Sequence, residues 1–287
     1  MDMKFNLEDR GNWSLSDLKQ KPVIANIAAS LWDIGDGVVC FEFNSKDTTI
    51  NYQTFKLLYD AINIVPKHFK CMLIGNDSAN FSSGINRSSS RDNFKTKEEI
   101  EYGQSVLQML KFTSFPTIAA VSGFTLGVGC EIALHCGSIQ AYVETHARLT
   151  EEGHTLSGLG GYTEMILRYL ELKEFSLDIV STNTTESAKQ MYNLHMLKSS
   201  DHITEDRKKL LADAKEKVLK FLHNYCPPKE EPIKLSEVKL YLQNVSNEAS
   251  IKKLKTGFGN QDFVNRKNIL NFEKEIALEA KKHNFLK

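Results

Sequence analysis

PTIAAVSGFTLGVGCEIALHCGSIQAYVETHARLTEEGHTLSGLGGYT, running from Pro116 to Thr163, is the stretch on which the reading of this chain turns. Thr117 to Val121 is a short apolar run with the length and β-branched content of a buried strand. Glycines punctuate the turn that follows, at Gly123, Gly127 and Gly129. Cys130 to His135 is helix-like and carries one acid, Glu131, on an otherwise apolar face. A second acid, Glu151, stands just before another glycine-rich turn, Gly158, Gly160 and Gly161. A strand, a glycine turn and a helix N terminus together present backbone N–H groups to an anion or a developing oxyanion. Two nearby carboxylates are suited to share general acid and base work.

On the N-terminal side, Val38 to Phe43 reads as a strand after the turn signal Gly35-Asp36-Gly37. Asn51 to Val65 has Phe55, Leu58, Ile62 and Val65 at helical spacing, and Pro66 is expected to end that helix. Cys71 to Gly75 is a second short apolar strand, suited to a sheet covered on both faces. Helix Glu98–Lys111 and strand Thr117–Val121 repeat the alternation, which argues an α/β fold without giving its topology. After Ile166 the pattern turns helical and polar, with helices expected over Glu186–Tyr192 and Thr204–Leu222. Three prolines mark Cys226–Pro232 as a linker, followed by helix-like Lys234–Gln243 and Asn265–Lys282. The expected division is a polar lead over residues 1–29, a catalytic core over 30–170, a helical region over 171–226, and a linker with helical extension over 227–287.

Composition narrows the function class. The 287 residues carry 36 basic and 36 acidic side chains, so no global field favours nucleic acid or an acidic surface. No run approaches the roughly 20 apolar residues of a membrane span, and the first residues are charged where a secretory signal needs an apolar core. Five cysteines, Cys40, Cys71, Cys130, Cys136 and Cys226, form no C-x-x-C and read as free thiols of a cytoplasmic protein. No G-x-G-x-x-G follows a strand, so no dinucleotide cofactor is expected. His135, His146 and His154 make no metal-ligand spacing with an acid, and they read as structural or surface residues.

The motif G-x-x-x-G-x-G-C-E ending at Glu131, an E-x-G segment twenty positions later and a G-x-G-G turn together resemble the enoyl-CoA hydratase/isomerase (crotonase) family. The resemblance extends over most of residues 23–287 and is weakest between about 229 and 255. It is similar above all to the hydratase part of bacterial fused 3-hydroxyacyl-CoA dehydrogenase/enoyl-CoA hydratases. Ser30-Leu31-Trp32-Asp33-Ile34-Gly35-Asp36-Gly37 and Leu211-Ala212-Asp213-Ala214-Lys215 carry that narrower likeness. It implies a crotonase-like (ClpP/crotonase) spiral core of repeated ββα units with a helical C-terminal part. Asn80-Phe81-Ser82-Ser83-Gly84-Ile85-Asn86 resembles the family's F-x-x-G-A-D segment, which makes the Ile85 N–H one oxyanion donor and the Val128 N–H the other. The same resemblance implies substrate and coenzyme A contacts at Ser83, Gly84, Asn86, Arg87, Gly127 and Gly129. Arg87 and Arg91 equally suit solvated loop charges.

What the resemblance implies is hydration of a 2-trans-enoyl-CoA in fatty-acid β-oxidation, with no cofactor beyond the coenzyme A of the substrate. Glu131 would deprotonate water and Glu151 would protonate C2. Homo-oligomers, trimers or hexamers, are expected, with a separate 3-hydroxyacyl-CoA dehydrogenase as a further partner and neither nucleic acid nor membrane. A Δ3-Δ2-enoyl-CoA isomerase and a non-catalytic acyl-CoA-binding subunit stay open. Three departures bear on the choice. Val128 replaces a glycine and is β-branched, which disfavours φ > 0. Asn86 stands where the family has Asp, and Ser157 where it has proline, in a loop one residue shorter than usual. Glu152, beside Glu151, is expected to be silent.

Overall fold

The short apolar runs assemble into one sheet. A computed structural model describes residues 13–45, 47–85, 94, 96–151, 157–172, 184–238 and 262–284. Its main sheet has seven strands in the order β1-β2-β3-β4-β5-β7-β9. β1 (Ile24–Ala25), β2 (Ala29–Asp33) and β3 (Val38–Phe43) pair antiparallel, with Trp32 opposite Cys40. From β3 onward, β4 (Cys71–Ile74), β5 (Thr117–Val121), β7 (Ser138–Tyr142) and β9 (His202–Thr204) are all parallel, with Val39 beside Met72 and Ile118 beside Ser138. Residues along these strands alternate between two buried cores. Val39, Phe41, Met72, Ile74, Ala119 and Val121 face one core. Val38, Cys40, Cys71, Leu73, Ile118 and Ala120 face the other. A sheet covered on both faces favours apolar residues on both sides of a strand, which is why β4 and β5 read as short apolar runs.

A second, two-stranded sheet pairs β6 (Phe124–Leu126) with β8 (His146–Arg148) in parallel, and Ser82 bridges to Thr125 beside it. The chain therefore passes three times from a long strand to this small layer and on to a helix. The units are β4, Ser82 and α3 (Lys97–Lys111); β5, β6 and α4 (Val128–His135); and β7, β8 and α5 (Gly161–Leu172). This is the spiral of ββα units. α2 (Tyr52–His68) packs on the same face, started by Asn51, whose side chain accepts from the N–H groups of Gln53 and Thr54. Pro66 does not end α2 as expected; it lies in the last turn and the helix runs on to His68. A proline there removes a single N–H, while the fully buried Val65 keeps its helical place and its carbonyl accepts from Phe69 N–H at 2.8 Å.

The other face is covered by α1 (Leu15–Leu18) and α7 (Leu210–Phe221), whose Leu15, Leu210, Leu211, Ala214 and Val218 fill the second core. Thr204, read as the first residue of that helix, ends strand β9, and a 3₁₀ turn at Arg207–Lys209 precedes the helix. α6 spans Ala188–Asn193. The helix expected from Lys234 begins instead with β10 (Ile233–Lys234), because that pair is claimed by β11 (Phe263–Val264). α8 (Arg266–Asn284) closes the described chain and packs on α3 and α5. Cys40, Cys71, Cys130 and Cys136 are buried free thiols and Cys226 is exposed. Among the described residues, no helix is long and apolar enough to cross a membrane.

Candidate active site

Beyond β4 the chain is held by Asn76, whose side-chain amide donates to the Phe81 carbonyl at 3.1 Å, and by Ser82, whose hydroxyl accepts from Gly84 N–H at 3.1 Å. Gly84 turns with φ +85° and aims the Ile85 N–H inward; beyond β6, Gly127 turns with φ +50° and starts α4 at Val128. The two N–H groups converge on one carboxylate. Ile85 N–H donates to Glu151 Oε2 at 2.9 Å and Val128 N–H to Glu151 Oε1 at 2.7 Å. A Cβ on Gly84 or Gly127 would overlap that carboxylate, so glycine at both places is what leaves the slot open. Val128 itself carries no positive φ, since Gly127 takes it, and the valine side chain is buried in the core. Gly129 has a different use: a Cβ there would collide with Ser82, so it lets the Ser82–Gly84 loop close onto α4. Ser83 is half-buried beside it, while Asn86, Arg87 and Arg91 lie outside the described residues.

Glu131 sits in the first turn of α4, 2% exposed, and its carboxylate lies on the second glycine turn. Leu159 N–H and Gly161 N–H each donate to Oε1 at 3.1 Å, and the Ser157 hydroxyl donates to Oε2. Proline at position 157 could not make that bond, so this departure supplies a donor to the acid. Burial first, then the negative charge of Glu273, pushes the Glu131 carboxyl up to about 8 against three hydrogen bonds that favour its ionised form; Glu151 adds a smaller push the same way.

Glu273 is the residue that sequence reasoning missed. It projects from α8, is 2% exposed, and accepts from the N–H groups of Gly160, Tyr162 and Thr163 at 3.1, 3.3 and 2.8 Å and from the Thr163 hydroxyl at 2.8 Å. Burial raises its carboxyl too, and those four donors oppose the rise. The one available signal was an acid between Leu270 and Ala277 on the apolar face of an amphipathic segment. His135, below the turn, is fully buried and neutral. Its Nδ1–H donates to the Glu131 carbonyl at 2.7 Å, Gln108 approaches Nε2 at 3.3 Å, and burial pushes the ring down to about 4. Next to it Glu164 is buried, yet Lys111 at 2.8 Å and Arg266, joined by His135 once acid protonates it, outweigh burial and hold its carboxyl well below the usual range. His146 Nδ1 lies 3.0 Å from the Thr185 carbonyl, a structural bond, and His154 lies outside the described residues. No group of three His, Cys, Asp or Glu side chains is placed to hold a metal among the described residues.

No protein-family model matches the chain. It is 31% identical over 247 residues, 79% of this chain and 31% of that protein, to a Bacillus subtilis protein described as a probable 3-hydroxyacyl-CoA dehydrogenase. It is 27% identical over 281 residues, 92% of this chain and 38% of that protein, to a Rickettsia prowazekii protein described as a fatty acid oxidation complex trifunctional enzyme. The chain thus spans about a third of the length of the curated relatives it matches. Among solved structures, an enoyl-CoA hydratase from Bacillus anthracis superposes with a TM-score of 0.58 at 15% identity, covering 80% of this chain and 88% of that one. A Thermobifida fusca structure described as an enoyl-CoA hydratase in complex with CoA gives 0.57 at 16% identity, over 87% of this chain and 94% of that one. The shared fold is that of the crotonases.

Proposed function

We propose that this chain, which has the crotonase fold and is similar to parts of fatty-acid oxidation proteins, is an enoyl-CoA hydratase of the crotonase family that hydrates 2-trans-enoyl-CoA thioesters in fatty-acid oxidation. The observation that carries this reading is the convergence of Ile85 and Val128 N–H on one carboxylate at the start of α4. Two donors that hold a carboxylate suit the oxygen of a thioester as it gains charge. Each such donor is typically worth about 3 kcal/mol to the transition state, and the α4 dipole adds to it.

In this mechanism the thioester oxygen takes the place of the Glu151 carboxylate in the slot. Glu131 takes a proton from water as its oxygen attacks C3, the π electrons move toward the thioester oxygen, and Glu151 delivers a proton to C2. The acids are reset when the proton on Glu131 returns to Glu151 through solvent. With its carboxyl raised to about 8, Glu131 gains ionised population as pH rises toward that value, so the rate should climb over that range. Coenzyme A would lie along the Ser83–Gly84 loop. No metal or nucleotide is needed for these steps.

The test is decay of the conjugated enoyl-thioester ultraviolet absorbance on adding the purified chain to crotonyl-CoA and longer homologues. A folded chain that binds CoA thioesters but leaves every absorbance unchanged would refute hydration. A second reading, Δ3-Δ2 isomerisation, draws on the seat of Glu151 in the slot, which leaves Glu131 as a single acid to carry a proton; formation of conjugation from a 3-enoyl-CoA would mark it. Assembly as a trimer or hexamer belongs to the same proposal, and light scattering that returns a 32.5 kDa monomer would remove it. A 3-hydroxyacyl-CoA dehydrogenase would use the product; failure of the chain to retain one in a pull-down would argue against a standing complex.

A further inference from the structure

Five consecutive N–H groups at the start of α5 are divided between two buried acids. Leu159 and Gly161 donate to Glu131, and Gly160, Tyr162 and Thr163 donate to Glu273. We infer that Glu273, reaching in from the C-terminal helix α8, is a positioning residue for Glu131, acting through the turn the two acids share. The alternation is what carries this. Leu159 to Tyr162 alternate between the two acids, so a shift of the turn by one residue would take both N–H groups away from Glu131, and the bonds to Glu273 fix which ones it receives. α8 also closes the turn from outside, since a Cβ on Gly158 would press on Ala277 and one on Gly160 on Leu270.

Electrostatics act in the same direction. Around the pair stand Glu131 and His135 from α4, Glu151 from the slot, Tyr162 and Glu164 from α5, Lys111 and Glu101 from α3, and Arg266 and Lys274 from α8. The cations are committed elsewhere: Lys111 and Arg266 to Glu164, and Lys274 to Glu101 at 2.6 Å. His135 is neutral, with its Nδ1–H on the Glu131 carbonyl. Among the described residues no cation bonds to Glu131 or Glu273, so the charge of Glu273 falls on Glu131 uncompensated. It also falls on the Tyr162 phenol, which burial and Glu273 raise. Two like charges in one buried site cannot both be held. Glu273, with four donors, is the better placed to stay ionised, and Glu131 keeps its proton until higher pH.

The inference rests on the hydratase reading only where activity is measured. The experiment therefore follows the protonated-carboxyl infrared band of the intact chain against pH, assigned by its loss in Glu131→Gln. In Glu273→Gln the midpoint of that band should move toward acid by about one pH unit or more, the scale of a neighbouring buried charge. Thr163→Val, which removes one donor to Glu273 and leaves the acid in place, should move it the same way by less. The acid limb of the hydration rate should shift in parallel. A band that titrates at the wild-type midpoint in both variants, with only thermal stability altered, would overturn the inference and leave Glu273 a helix cap. If the band moves and no variant hydrates any enoyl-CoA, the positioning role stands and the hydratase reading fails.

Discussion

At Ile85 and Val128 two N–H groups from separate segments meet at one carboxylate, whereas from Leu159 to Thr163 five consecutive N–H groups of one helix start serve two. Both places use backbone donors that glycine leaves uncovered. They differ in what fixes the acid. Glu151 fills a slot that Gly84 and Gly127 keep open, and an oxygen of another molecule can make the same two bonds. Glu131 is enclosed: a Cβ on Gly161 would strike its Cγ, Ser157 bonds its far oxygen, and α8 lies over the turn. Convergent donors thus make a place where charge can be exchanged, and consecutive donors make a seat for a permanent acid.

The largest effect expected from this contrast is on Glu131→Gln. Loss of a positioned base should lower enoyl-CoA turnover by at least about 10²-fold. Stability should move the other way. The carboxyl has an ordinary value near 4.5 and is raised to about 8 in the folded chain, so the folded state binds more protons between those values and loses stability as pH rises through that window. Glutamine avoids this loss, and the variant should be more stable than the parent at pH 8 by on the order of 2–4 kcal/mol, with the gain fading toward pH 5. Denaturant melts at the two pH values measure it. Equal stability at both would mean that the seat imposes no cost on the acid.

Glu151→Gln sharpens the other half of the comparison. Turnover should fall here too, but affinity for a non-reacting acyl-CoA should rise by roughly tenfold, because the internal occupant loses its charge-assisted bonds to the two N–H groups. Glu131→Gln should leave that affinity nearly unchanged. Calorimetric titration separates them, and unchanged affinity in Glu151→Gln would mean that the slot is not contested.

Much of this contrast could not be read along the chain. Strands Val38–Phe43 and Thr117–Val121 are legible to the residue, because their apolar positions fall on both faces and set them off from the turns around them. The spiral path is not, since the bridge of Ser82 to Thr125 and the pairing of β6 with β8 are long-range. The strand at Ile233–Lys234 depends on Phe263–Val264, a partner about thirty residues away. The candidate site shows the same limit. The sequence carries the acids and the glycines, with the resemblance supplying their roles. The effect of Val128 on the backbone is decided by Gly127, and Ser157, read as a missing proline, becomes a donor only once Glu131 is beside it. Glu273 lies 110 residues from the N–H of Thr163 that it caps, and no local pattern links them.

The smallest effect concerns the ion cluster beneath the glycine turn. His135 refuses a proton until about 4, while in the unfolded chain it takes one near 6.5, so its contribution is present above 6.5 and lost as pH falls through that interval. Glu164, held low by Lys111 and Arg266, contributes above its ordinary value near 4.5 and loses that contribution at lower pH. Between pH 6.5 and 5 the loss at His135 runs against the gain at Glu131, so it is read as a difference between two chains. The melting temperature of His135→Gln should rise relative to that of the parent by a few degrees as pH falls from 6.5 to 5, and a constant difference would mean that His135 carries no such linkage.

The central claim, that Ile85 and Val128 N–H receive a thioester oxygen, is tested most directly by the infrared carbonyl stretch of a bound, non-reacting acyl-CoA labelled with ¹³C at the thioester carbon. On binding, the band should move to lower frequency than in water, as two backbone donors polarise the carbonyl. A band that stays at its aqueous frequency while the coenzyme A moiety is demonstrably bound would contradict the account.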